Sequence, residues 1–119
     1  MAAHESLSDY QFKFEKVSEK GWHRVVAETQ DGDYVGHLKW NSRNNNYIRD
    51  VFVEANHRRQ GVATAMFNYA HEVAKTTRGV QPPKHSPDRT DDGDAWAKSM
   101  GKRIPKRLKL DTTHNYETE

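Results

Sequence analysis

A basic turn with one glycine, in the middle of the chain, has the residue types and spacing to bind phosphate. Arg58, Arg59 and Gly61 lie between a β-branched and aromatic run, residues 51–53, and a helical pattern that begins at Val62. Where a strand leads through such a turn into a helix, backbone amides of the turn and of the helix N-terminus can face an anion. Two guanidinium groups suit the charge of a diphosphate. The turn therefore predicts a phosphate site.

Composition excludes several other chemistries. The chain has no cysteine, so disulfides, thiolate catalysis and cysteine-ligated zinc are excluded. Its seven histidines are scattered without paired metal-ligand spacing, and we expect no metal site. No apolar run approaches the roughly 18–20 residues of a membrane span, and no signal-peptide hydrophobic region follows Met1. We therefore expect a cytoplasmic protein without a membrane partner.

Length and charge limit the fold and the partners. A chain of 119 residues predicts one compact domain. Because 34% of residues are hydrophobic and 30% are charged, the core must be small. A thin sheet with one or two helices fits that supply of apolar residues, and a large closed cavity does not. The net charge of +2 is mildly basic, and the basic segment at residues 98–109 has no interleaved aromatic residues, which disfavours nucleic-acid binding.

A sheet must position the turn. Segments with alternating or concentrated β-branched and aromatic residues lie at residues 10–14, 23–29, 34–40 and 47–53. Asp31-Gly32 is a strong hairpin signal between the second and third of them. Because short turns join neighbouring strands antiparallel, we predict a meander whose fourth strand leads into the phosphate-binding turn.

The pattern changes from strand to helix after the turn. Over residues 61–77, Val62, Met66, Ala70 and Val73 recur at helical spacing on one face, with Tyr69 beside them. This predicts a helix of about four turns that packs its apolar stripe on the sheet. Gly79 is placed to cap its C-terminus.

The last third of the chain predicts smaller elements. Residues 80–86 should form an extended fifth strand, at an edge because they include Pro82 and Pro83. Thr90 or Asp91 can cap a second, short helix that closes at Gly101. Residues 104–110 predict one more short strand. Residues 1–9 and 111–119 predict loose tails.

With these elements and turn residues, the chain resembles the GCN5-related N-acetyltransferase (GNAT) family, as a compact member. The turn matches the family's acetyl-CoA signature through Arg58-Arg59-Gln60-Gly61-Val62-Ala63, and Val51-Phe52-Val53 matches the preceding strand. Ala55 stands where the family usually has proline. The resemblance implies an α+β fold: a mixed, mostly antiparallel sheet of five to six strands with one long and one short helix. Residues 1–119 would then be a single GNAT-like domain.

The resemblance also implies a set of cofactor-binding residues. The amides of residues 59–63 would face the pyrophosphate of acetyl-CoA, Arg58 would add charge, and Thr64 could add a hydroxyl. In the family the fourth strand carries a bulge and splays from the fifth, and the pantetheine arm pairs with the freed backbone. Val51 and Val53, with Phe52 between them, would supply those backbone groups.

The implied reaction is attack of an amine on the thioester, which needs a base for the amine and an acid for the leaving thiolate. The tyrosine that often serves as the acid is absent, because counting back from Gly101 reaches Ala97. Lys98 and Ser99 are neighbours of Ala97, and other groups that could replace the tyrosine are Ser86 and His85 at the mouth of the fifth strand. For the base, the candidates are Asp50, Tyr47 and His37.

The acceptor is less defined than the cofactor. The family usually inserts one or two helices between its first two strands, whereas only residues 15–22 lie there in this chain. An open surface suits a protein amine or another large acceptor. Acidic residues within 85–94 could attract a cationic amine, or could simply match the dipole of the helix that follows. A non-catalytic GNAT-like module that binds a protein partner is the alternative function.

Overall fold

The computed structural model describes residues 9–17, 20–87 and 89–100, in which a four-stranded antiparallel sheet carries two helices. In chain order the elements are β1 (Tyr10–Lys16), β2 (Trp22–Thr29), β3 (Tyr34–Asn41), β4 (Tyr47–Val53), α1 (Val62–Thr76) and α2 (Asp91–Ser99). Neighbours in sequence are neighbours in the sheet, so the predicted meander is confirmed, as is the α+β class. Predictions for residues 1–8, 101–110 and 111–119 lie outside the described residues.

The core lies between one face of the sheet and α1. Side chains that alternate along the strands, among them Val25, Leu38 and Trp40, are completely buried there. α1 contributes Val62, Met66 and Ala70, as its apolar stripe predicts. Phe67, which the predicted stripe omitted, is also buried. α1 ends at Thr76 with Thr77 as its C-cap, so the predicted cap, Gly79, at φ +85°, lies two residues beyond the observed one.

The predicted fifth strand is reduced to one bridge. Lys84 pairs in parallel with Tyr47, and two hydrogen bonds hold it: Ile48 N–H donates to the Lys84 carbonyl at 2.9 Å and Lys84 N–H to the Asn46 carbonyl at 2.8 Å. Pro82 and Pro83 have no N–H to donate, which prevents a longer ladder. The segment therefore touches the start of β4 and then separates from it.

β4 carries a β-bulge at the point where that separation begins. Asp50 is opposite Lys39 and Ile48 is opposite Trp40, so Arg49 is an extra residue with no counterpart in β3. Because a bulge changes the direction of a strand, it helps to turn β4 away from residues 85–87.

Close approach of β3 and β4 depends on Gly36. A Cβ atom at this position would lie 2.3 Å from the Phe52 carbonyl oxygen and 3.1 Å from the Val53 Cα atom. Backbone atoms cannot yield as a flexible side chain can, so we expect Gly36→Ala to lower the free energy of unfolding by about 1–3 kcal/mol. Urea denaturation of the two proteins measures the difference. An unchanged midpoint would show that β4 can shift at no cost.

A histidine is buried in the core. His23 is 2% exposed and its ring lies 5.9 Å from that of Phe14 and 5.4 Å from that of Trp40. Burial, with a smaller contribution from Lys16, lowers the pKa of His23 below its ordinary value of 6.5.

Because the folded protein binds this proton less readily than the unfolded chain, His23 makes stability fall as the pH drops through about 6.5. We expect His23→Phe to flatten the dependence of the melting temperature on pH between about pH 7 and pH 5. Thermal melts at intervals across this range measure it. An equally steep curve in the variant would assign the pH dependence to other groups.

Candidate functional site

The segment between β4 and α1 has the backbone of an anion-binding turn. Arg59 and Gly61 both adopt left-handed conformations, with φ of 63° and 82°, and Gly61 is the N-cap of α1. The first hydrogen bond of the helix runs from Ala65 N–H to the Gly61 carbonyl at 2.9 Å. Within the described residues no side chain caps this end, so the amides of Val62, Ala63 and Thr64 point out of the helix N-terminus. They can bind an anion.

Tyr10 on β1 forms hydrogen bonds that anchor this turn. Its hydroxyl donates to Gln60 Oε1 at 2.9 Å and lies 2.8 Å from His57 Nδ1, which can donate to it in turn. Tyr10 is 7% exposed, and burial, then the charge of Asp9, raises its pKa, so the hydroxyl keeps its proton at neutral pH. Gln60 and His57 flank the two arginines. This anchor was not predictable from sequence, because Tyr10 lies in an alternating strand pattern and resembles any other core aromatic residue.

The two arginines have different positions. Arg58 Nε donates to the Val53 carbonyl at 2.8 Å, and its guanidinium lies 5.9 Å from the centre of the Phe52 ring. Arg59 is exposed. Arg58 thus closes the end of β4 as well as placing charge near the turn. The Thr64 hydroxyl accepts a hydrogen bond from Trp96 Nε1 at 3.1 Å, which ties α1 to α2.

The outer edge of β4 presents backbone groups at the predicted positions. Glu54 N–H donates to the Val35 carbonyl of β3 at 2.8 Å, so strand alternation turns the backbone groups of Val53 and Val51 away from β3. The Phe52 carbonyl faces β3, since it lies against Gly36. Of the three, Val51 and Val53 therefore face the outer edge, where the Val53 carbonyl already accepts a hydrogen bond from Arg58.

An open cleft of about 100 Å³ lies between β4 and the segment that leads into α2. Ile48, Asp50 and Val51 form one wall, and His85, Ser86 and Trp96 are on the other. All three predicted catalytic residues, Asp50, Ser86 and His85, therefore meet at one cleft, although they are distant in sequence. Tyr47, Lys98 and Ser99 do not line it.

Packing and ion pairs fix the wall opposite β4. The His85 ring stacks on Phe67, with ring centres 4.9 Å apart, and meets Trp96 edge-on at 4.8 Å. The buried Arg89 side chain donates through Nε to Asp94 Oδ1 at 3.0 Å and through Nη1 to the Ser86 carbonyl at 2.6 Å. Arg89 therefore ties the segment carrying His85 and Ser86 to α2.

Ion pairs neutralise Asp94, one carboxylate of the acidic segment at residues 85–94. Asp94 pairs with Lys98 at 3.0 Å as well as with Arg89. Lys98, then Arg89, hold the pKa of Asp94 below its ordinary value, so its carboxylate is ionised and committed to these cations. Thr90 accepts a hydrogen bond from Gly93 N–H at 3.1 Å, which confirms it as the N-cap of α2. Lys98 acts as a surface partner of Asp94.

Asp50, on the β4 wall of the cleft, is the end of a hydrogen-bonded chain of three side chains that continues onto β3. His37 Nε2 lies 2.5 Å from Asp50 Oδ2, and the Tyr34 hydroxyl lies 2.5 Å from His37 Nδ1. Partial burial, then Glu54 and Asp50, raise the pKa of Tyr34, which keeps the phenol protonated at neutral pH. The sequence suggested Asp50 and His37 separately, and Tyr34 was not a candidate.

Within the described residues no group of three or more histidine, aspartate or glutamate side chains could hold a metal ion. The helices in the same part of the chain are too short or too polar to cross a membrane.

Comparison with known proteins agrees with this geometry. No curated protein matches the chain significantly. A crystal structure from Deinococcus radiodurans R1, provisionally assigned as an acetyltransferase, superposes with a TM-score of 0.59 and 17% sequence identity, covering 93% of this chain and 92% of that one. This likeness supports the fold. The profile of the acetyltransferase (GNAT) family matches residues 2–82, more than half of the sequence. The chain therefore belongs to the acetyltransferase (GNAT) family of enzymes.

Proposed function

We propose that the protein is an acetyl-CoA-dependent N-acetyltransferase that acts on a primary amine. The observation that carries this proposal is the continuity of three features along β4 and the turn that follows it. They are the turn at Gly61 with outward-pointing amides, the outer edge of β4, and the cleft that contains Asp50. In that order, these features suit the diphosphate, the extended amide-containing arm and the thioester of acetyl-CoA.

The residues present fit acetyl-CoA. Arg59 and Gly61 have left-handed backbone, the conformation found in turns whose neighbouring amides bind anions such as a diphosphate. The cofactor-binding set is then the turn and the first helical residues, with the end of β4: Val51, Phe52, Val53, Arg58, Arg59, Gln60, Gly61, Val62, Ala63 and Thr64. Within it, Phe52 contributes its ring under the Arg58 guanidinium, since its carbonyl faces β3.

The amine is the nucleophile, and Asp50 is the base. Acetyl-CoA would supply an acetyl thioester, whose C–S bond breaks as the amine nitrogen bonds to the carbonyl carbon. An alkylammonium must first lose one proton to Asp50, and the nitrogen loses a second when the amide forms. One of these protons is needed by the leaving sulfur and the other returns to solvent. Ser86 and His85, on the opposite wall, are the groups that can donate to sulfur.

The acceptor amine is proposed to belong to a protein or another large molecule. The connection between β1 and β2, residues 17–21, is short, and the cleft is open to solvent. Asp94 is committed to Arg89 and Lys98, so attraction of a cationic amine falls to Asp50 among the described carboxylates that line the cleft.

Two measurements test the function. Isothermal titration calorimetry should show acetyl-CoA binding, and a thiol-release assay across amines and lysine-containing peptides should show turnover. Absence of binding would contradict the proposal. Binding without thiol release from any acceptor would favour a non-catalytic module, a function consistent with the fully buried Ala97 at the position of the family's acid tyrosine.

The anchor at Tyr10 gives a prediction about affinity. Tyr10→Phe removes the hydrogen bond to Gln60 but keeps the ring in the core, so the turn loses order without losing a ligand contact. We expect acetyl-CoA to bind about 5- to 10-fold more weakly, as for the loss of one hydrogen bond. Calorimetry measures the change. Tyr69→Phe on α1, whose ring packs on Phe12, is the matched control and should bind normally. Equal affinity in both variants would contradict the anchoring role.

A further inference from the structure

Asp50 is the cleft end of a hydrogen-bonded chain that crosses from β4 to an exposed tyrosine on β3. We propose that Tyr34 and His37 are positioning residues that hold the Asp50 carboxylate oriented toward the acceptor amine. This inference rests on the proposed function, because it assigns the groups that prepare the base of that reaction.

The geometry leaves one carboxylate oxygen for chemistry. His37 Nε2 approaches Oδ2 of Asp50, so Oδ1 is the oxygen that can accept a proton from an amine in the cleft. The Asp50 side chain is only 10% exposed and that of His37 is 20% exposed. A short hydrogen bond in such a partly desolvated place restricts the carboxylate more than a surface contact would.

Tyr34 is placed to fix the tautomer of His37. A phenol that donates a hydrogen bond to Nδ1 leaves Nε2–H to donate to the carboxylate. The ring is also held between two aromatic neighbours, with centres 6.1 Å from Tyr34 and 6.0 Å from Phe52. A catalytic carboxylate or imidazole is more effective when a neighbouring group with a fixed tautomer orients it.

Other charged groups surround the chain, and none replaces His37 as the described hydrogen-bond donor to Oδ2. Lys39 is opposite Asp50 in the sheet, but its ammonium lies over the Trp22 ring, 4.9 Å from the centre. The remaining titratable or charged groups that face the chain or line the cleft are Arg24 on β2, Arg49 on β4, Glu54 after β4, and His85 and Arg89 on the opposite wall.

Three variants separate this role from a structural one. Tyr34→Phe removes only the phenol hydroxyl, and we expect kcat to fall about 5- to 10-fold, the effect of one lost hydrogen bond. His37→Leu removes the donor to Asp50 and should cost more, whereas His37→Gln, with an amide N–H in its place, should recover part of the loss. The dissociation constant for acetyl-CoA should stay unchanged in all three.

Rescue and a matched control supply the readouts that a structural defect would not move. A higher kcat in His37→Gln than in His37→Leu, at equal affinity for acetyl-CoA, would trace the loss to the missing donor at Asp50. Lys13→Gln, on β1 and on the same face of the sheet as His37, is the control and should keep the wild-type kcat.

The outcomes distinguish the inference from the function beneath it. A wild-type protein that releases no thiol from any acceptor overturns the proposed function and the inference with it. An active wild type, with kcat unchanged in Tyr34→Phe and His37→Leu, overturns the inference alone. So does a fall in kcat that is matched by lost acetyl-CoA affinity and a lower melting temperature, because a general loss of structure would then explain it.

Discussion

Acetyl-CoA should bind about 100-fold more weakly or worse to Gly61→Asp, a change of about 2.7 kcal/mol. Gly61 has φ +82°, and an L-residue in this region costs about 1–2 kcal/mol. A Cβ atom at Gly61 would have no protein atom within 4 Å, so the fold itself can accommodate the side chain. The new carboxylate would compete for the amides at the N-terminus of α1 and repel a diphosphate.

Backbone strain alone can be measured with a matched glycine. Gly32, in the turn between β2 and β3, has φ +94° and also has no protein atom within 4 Å of a built Cβ. Gly32→Asp should therefore lose a similar amount of stability while binding acetyl-CoA normally in calorimetry. If Gly61→Asp binds as tightly as the wild type, the turn is not the pyrophosphate site. Equal losses of affinity in both variants would trace the effect to stability.

Local signals made much of this structure predictable from sequence. The four strands and α1 follow from side-chain periodicity, and the N-cap at Thr90 follows from residue type. Gly61 was identifiable because a strand, a basic turn and a helix follow one another without interruption. In each case the residues that determine the structure lie within a few positions of one another, so the sequence contains the whole pattern.

Contacts between distant segments could not be predicted in this way. The hydrogen bond between Tyr10 and Gln60 joins residues 50 positions apart. The approach of His37 to Asp50 depends on strand register, and the bulge at Arg49 changes that register by one residue. The predicted strand at residues 80–86 forms only one bridge. Its prolines indicate an extended segment, but they do not indicate how many of its N–H groups find partners.

Asp50→Asn should lower kcat by about 10²- to 10⁴-fold, the usual range for loss of a general base. Asparagine has the size of aspartate, and its carbonyl oxygen can still accept the hydrogen bond from His37. The side chain therefore keeps its place but can no longer take a proton from the amine. Affinity for acetyl-CoA should change little, because the pyrophosphate turn is untouched. Steady-state thiol release and calorimetry measure the two quantities.

Glu54→Gln is the matched control for the Asp50 prediction. Glu54 follows β4, is exposed, and does not line the cleft, so its neutralisation removes a nearby negative charge without removing a base. If attraction of a cationic amine were the role of Asp50, both variants would raise KM and leave kcat nearly unchanged. A kcat near the wild-type value in Asp50→Asn would contradict its role as the base. A loss of kcat confined to Asp50→Asn would show that the carboxylate acts in proton transfer, since charge alone is matched in the control.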